Sequence, residues 1–201
     1  MAHHAKGIVL AVSTLLVGVA ALAQNAQQPQ MTLEQKAEMD AYSKAGTPGP
    51  QHIAMAATAG TYDLKIKSWQ DANSPAREDT GTATRSMALD GRVLVEQVSA
   101  HMMGQPYSGH GMQGYDNTTG KYWSTWNDSM STGVMVSQGT CDAKQNCTFT
   151  GSWTDPIKKT PVTSRMTTKW TSPTTEIFEM YAPDRDGKEV KMMQITYTKK
   201  N

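Results

Sequence analysis

The chain has 201 residues, with 19 Lys and Arg against 18 Asp and Glu, so its formal net charge is +1. That balance argues against nucleic acid or an anionic membrane as partner, because both demand a basic surface. The length suits one domain with a real core, and plentiful Thr, Ser and Gly beside 38% apolar residues suits half-exposed strands.

Residues 1–23 read as a secretory signal peptide. Lys6 supplies a short basic start, the apolar run from Gly7 to Ala20 is too short to span a bilayer comfortably, and Ala21-Leu22-Ala23 is an A-x-A cleavage pattern. The rival reading is an uncleaved anchor. Cleavage makes Gln24 the new N-terminus and leaves 178 of the 201 residues. No Cys stands at the cleavage point to carry a lipid. The expectation is an exported protein, periplasmic or secreted, with no membrane span after signal cleavage.

Residues 24–50 form an N-terminal stretch whose first part, 24–30, is Gln- and Asn-rich and expected to be disordered. A helix follows. Thr32 with Gln35 makes a capping box, Glu34 sits where the helix dipole favours an anion, and Leu33, Ala37 and Ala41 recur on one face, with Tyr42 extending it. Gly46 is a natural stop. Pro48-Gly49-Pro50 breaks the chain, and Gln51 to Ala57 suits one more short helical turn.

Residues 51–201 are the expected β domain. From Gly60 the period becomes two: Tyr62, Leu64 and Ile66 alternate with Asp63, Lys65 and Lys67, a strand with one wet face. A polar loop covers 70–79. Strands over 80–89 and 92–100 are joined by Asp90-Gly91, a strong hairpin signal. Tyr107 to Asp116 reads as a strand with Gly109 and Gly111 on the face of Tyr107 and Tyr115, and Gly114 on the other. Glycines inside a strand mark a sharp bend or the close approach of another group. Asp116 to Gly120 is turn chemistry. Lys121 to Asp128 runs back, with Tyr122 and Trp126 on one face and Trp123 on the other.

Further strands fall near 134–140, 148–155, 162–170, 175–181 and 189–198. The only two cysteines, Cys141 and Cys147, flank a polar turn. In an exported protein a disulfide across that hairpin is expected, worth roughly 2 kcal/mol in the chain-entropy model. A redox or metal pair lacks both C-x-x-C spacing and a nearby His. About ten short strands without intervening helices predict an antiparallel meander, and closing it removes two long edges. The fold expected is therefore all-β, an antiparallel up-and-down β-barrel with an N-terminal helix; a two-sheet sandwich is the alternative.

The chain resembles the bacterial DUF1579 family. The resemblance is carried by Gly104-Gln105-Pro106-Tyr107-Ser108-Gly109, Gly114-Tyr115-Asp116, Trp126-Asn127-Asp128-Ser129-Met130-Ser131-Thr132-Gly133, Asp155-Pro156, Met180-Tyr181 and Gly187-Lys188-Glu189-Val190-Lys191-Met192-Met193-Gln194-Ile195-Thr196-Tyr197. Family members usually carry an Arg after the final Tyr, where this chain has Lys199. The resemblance implies a calycin-like barrel, similar to lipocalins and fatty-acid-binding proteins. It implies no substrate, no cofactor and no catalytic residue.

A small barrel can hold one small ligand inside. Tyr107, Met112, Tyr115, Trp123, Trp126, Trp153 and Trp170 are the candidate ligand-binding residues, since aromatic walls with a few polar groups are what such pockets use. The competing reading is that these rings fill the core; the glycines favour the pocket. The expected function is binding of a small apolar ligand, and the alternative is a structural or interaction module of the cell envelope with a filled core. Two weaker readings complete the set. His101, Met103, His110 and Met112 carry the thioether and imidazole groups that suit Cu(I), against an ordinary gap-filling role for Met. His110, Asp116, Asp128 and Ser129 include the residue types of a hydrolytic triad, but the chain has no G-x-S-x-G, H-E-x-x-H or phosphate loop.

Overall fold

A computed structural model describes residues 30–184 and 186–200. The signal-peptide expectation for 1–23 lies outside the described residues. Two helices, α1 (Leu33–Gly46) and α2 (Pro50–Ala56), precede ten strands. These are β1 (Gly60–Ser68), β2 (Arg77–Ala88), β3 (Val93–Met102), β4 (Gln105–Asp116), β5 (Lys121–Asp128), β6 (Met135–Cys141), β7 (Cys147–Thr154), β8 (Pro161–Ser172), β9 (Thr175–Pro183) and β10 (Glu189–Lys199).

Each strand pairs antiparallel with its neighbours in sequence, and β1 pairs with β10, from Tyr62 opposite Lys199 to Ser68 opposite Met193. The sheet is thus a closed barrel of calycin-like, up-and-down form. That closing pair rules out the two-sheet sandwich, and it satisfies the edges that a flat meander would expose. Two strand starts differ from the sequence expectation. β2 begins at Arg77, inside the expected loop, because Arg77 pairs with Ser68 and the ladder continues as far as β1 reaches. β4 begins at Gln105, because Met103 and Gly104 both take positive φ and complete a tight turn in two residues.

The period-two pattern places Tyr62, Leu64 and Ile66 inside, all buried, with Asp63, Lys65 and Lys67 outside. α2 covers one barrel end. Its Met55 is fully buried against Tyr122, Cys147, Phe149 and Met166. Just beyond, the Thr58 carbonyl accepts a hydrogen bond from the Tyr62 hydroxyl. His52 is buried edge-on to Tyr115, with ring centroids 6.0 Å apart, and its Nδ1 accepts from the Gly49 N–H at 3.0 Å.

The disulfide Cys141–Cys147 closes the β6–β7 hairpin at the same end. It tucks Gln145 inward, where Nε2 donates to the Tyr122 hydroxyl at 3.2 Å. α1 has the capping box expected of Thr32 and Gln35. Its apolar stripe, however, packs on nothing: no residue of α1 is buried, and Leu33 and Tyr42 are 85% and 80% exposed. Only its C-terminal end is tied down, by Asn117 and Arg92 side chains donating to its last carbonyls. Among the described residues no helix is long and apolar enough to cross a membrane.

Candidate functional site: the barrel cavity

The strands enclose a cavity of about 470 Å³. Its form follows from the glycines of β4. Gly109 and Gly111 face inward, and the Trp126 indole from β5 occupies the space their side chains would need; a Cβ on Gly111 would stand 3.0 Å from Trp126 Cε3. The ring therefore lies against the wall instead of projecting across the barrel. Gly114, of opposite parity, does the same outside for Trp123.

Of the seven candidate ligand-binding residues, Tyr107, Met112, Trp126, Trp153 and Trp170 belong to the cavity wall. Met112 contributes from the wall while its side chain stands outside, 38% exposed and in register with Val95 and Thr125. Trp123 packs over Gly114 on the outer face and lines nothing inside. Tyr115 faces inward but lies beneath α2, edge-on to Tyr122 at 4.9 Å and to His52. It belongs to the packed end, not to the cavity wall.

Two polar groupings interrupt the apolar wall. Near the end that α2 covers, Arg85 of β2 is buried between Glu96 of β3, at 2.9 Å, and Glu176 of β9. The guanidinium also lies over the rings of Tyr197, at 4.5 Å, and Tyr62, at 5.0 Å. Burial works against the Arg85 charge, but the two carboxylates outweigh it and hold its pKa well above the usual arginine value. Burial pushes the Glu176 carboxyl up against the pull of Arg85. It also raises the Tyr197 hydroxyl, helped by the Glu96 charge.

Towards the other end, Asp128 Oδ2 accepts from Trp126 Nε1 at 3.1 Å and from the Tyr107 hydroxyl at 3.3 Å, while Oδ1 accepts from the Met130 N–H at 2.9 Å. Burial and then the Asp128 charge raise the Tyr107 pKa.

None of these charged residues except Asp128 was singled out by the sequence. A signal for them existed. Ala83-x-Arg85-x-Met87, Leu94-x-Glu96-x-Val98 and Glu176-x-Phe178-x-Met180 each place a charge at period two within an apolar face. In a closed barrel that face is the interior.

A family model described as a protein of unknown function, DUF1579, matches residues 47–199. The chain belongs to the DUF1579 family. A comparison with curated proteins finds no match. Among solved structures, the S-type phycobiliprotein lyase CPES from Guillardia theta is similar to this DUF1579 barrel, with a TM-score of 0.52 and 9% identity over 80% of this chain and 97% of that one. At that identity the likeness shows a shared fold. A redesigned β-barrel also matches, with a TM-score of 0.36 and 15% identity over 74% of this chain and 96% of that one.

The weaker chemical readings of the sequence are dispersed in this DUF1579 barrel. His101 lies opposite Pro106, and His110 lies four residues further along β4, opposite Gln97, which separates the two by about 13 Å along the strand. Met103 is in the β3–β4 turn. No group of three or more His, Cys, Asp or Glu residues able to hold a metal occurs among the described residues. The triad residue types likewise do not converge. His110 is exposed in register with Asn127, Asp116 caps its own turn through Thr118 and Thr119, and Ser129 Oγ accepts from the Ser108 N–H while Asp128 is engaged with Trp126 and Tyr107.

Proposed function

We propose that this DUF1579 protein is exported and holds one small, largely apolar molecule inside its barrel. The observation that carries the reading is the cavity of about 470 Å³ with Tyr107, Trp126, Trp153 and Trp170 in its wall. Small-molecule sites commonly span roughly 300–1,000 Å³ and combine such walls with a few placed polar groups. The fold shared with a phycobiliprotein lyase is in keeping with it. Export rests on the leader pattern of residues 1–23 and on the Cys141–Cys147 disulfide, since disulfides persist in oxidising compartments.

The test is titration of the purified protein with N-phenyl-1-naphthylamine, a neutral apolar fluorophore. The expected result is a saturable one-to-one signal that Ser124→Trp abolishes, because Ser124 faces the cavity. No saturable signal with this or other apolar probes overturns the reading. Cell fractionation, with Gln24 found at the mature N-terminus, tests export.

A second reading, an interaction module of the cell envelope, is favoured by α1, whose Leu33, Met39 and Tyr42 are exposed. A photo-crosslinking residue at position 42 that captures nothing in the native envelope would remove it.

A further inference from the structure

The charges in the cavity wall do not balance. Its one cation is Arg85; its carboxylates are Glu96, Asp128 and Glu176, which leaves a formal charge of −2 among the described lining residues. Arg85 is already paired with both Glu96 and Glu176, so it has no free charge to offer an anion. Even with Glu176 protonated, Glu96 alone cancels Arg85 and Asp128 leaves the wall one negative charge.

Asp128 is the uncompensated group. It forms no ion pair among the described residues, and its three hydrogen-bond donors are all neutral: the Trp126 indole, the Tyr107 hydroxyl and the Met130 amide. The same two side chains that hold it are aromatic. A cation beside Asp128 would meet a carboxylate that no charged group pairs among the described residues, set in a wall that is largely aromatic and apolar. An anion brought to the same place would meet the repulsion of Asp128 with no unpaired cation among the described lining residues to offset it.

Resting on the proposal that the cavity binds a small apolar molecule, we infer that its ligands are apolar amines carrying a protonated nitrogen, seated at the cavity side of Asp128 beside the Tyr107–Trp126 pair, and that apolar carboxylates are rejected. The matched probes are decylammonium, decanol and decanoate, which share one apolar body and differ in head-group charge.

Calorimetric titration at neutral pH should rank decylammonium first, decanol second and decanoate last, with decylammonium roughly tenfold or more tighter than decanoate. Asp128→Asn should bring the ratio of decylammonium to decanol affinity close to one, whatever it does to the affinity for decanol itself. The ranking on the wild-type protein decides the matter even where that variant fails to fold. Decanoate binding as tightly as decylammonium, while N-phenyl-1-naphthylamine still binds, overturns this inference alone. Failure of the neutral probe together with all three ligands overturns the cavity-binding proposal beneath it.

Discussion

Trp126 occupies the space that a side chain at Gly109 would fill. The two residues sit on neighbouring strands, β4 and β5, and both face the barrel interior. A Cβ at position 109 would overlap the six-membered ring of the indole and drive it off the wall into the cavity.

Gly109→Ala is therefore expected to destabilise the protein by about 1–3 kcal/mol, the usual range for overpacking a closed interior. The cost should fall in a Trp126→Ala background, where the obstruction is gone. Urea denaturation of the two single variants and the double variant measures that coupling. Equal costs in both backgrounds would show that the glycine is needed for something other than the ring.

Arg85 is the shared partner of two carboxylates in the interior. Arg85→Met is expected to cost about 3–5 kcal/mol, because it strands Glu96 and Glu176 without a counter-charge. Adding Glu96→Gln and Glu176→Gln to that variant should recover most of the loss by removing the buried charges. Thermal and urea unfolding of the series check it; a triple variant no more stable than Arg85→Met alone would contradict it.

Asn117 tethers α1 by directing its amide at the carbonyls of Lys44, Ala45 and Thr47, at 3.2, 3.1 and 2.8 Å. Since α1 buries none of its residues, Asn117→Ala should leave barrel stability within about 0.5 kcal/mol of wild type. Proteolysis and amide exchange within residues 33–46 should nevertheless speed up. Unchanged exchange there would mean that the Arg92 contact with Gly46 holds the helix unaided.

The disulfide hairpin carries its own acid dependence. The Asp142 carboxylate accepts from the Asn146 side chain and N–H and from the Lys144 N–H, and these bonds hold its pKa below the ordinary 3.8. A depressed carboxylate pKa stabilises the fold above the unfolded value and loses that contribution as pH falls through the folded value. Stability should therefore decline below about pH 4, and the decline should be shallower in Asp142→Asn. Removing the bridge with Cys141→Ala and Cys147→Ala should cost about 2 kcal/mol, set by a loop this short. Denaturation midpoints across the acid range report both effects.

Period-two alternation, the turns at Asp90-Gly91 and Asp116 to Gly120, and the spacing of Cys141 and Cys147 were enough to determine a ten-stranded antiparallel meander and its one disulfide. Those signals are local: each depends on residues within a few positions along the chain. The capping box of α1 was legible for the same reason, since Thr32 and Gln35 meet within one turn. What covers the helix was not legible, and its apolar stripe stays bare although its sequence pattern is that of a packing face. Period two put Trp126 and Trp123 on opposite faces of β5, but tertiary structure alone decided which face is the inner one and that Trp126 lies flat on two glycines there, that Tyr115 lies under α2, and that Arg85, Glu96 and Glu176, 91 positions apart at the extremes, meet inside. Closure of β1 onto β10 gives all the inward faces one shared interior, so a charge placed on one strand is answered by a strand far away in sequence.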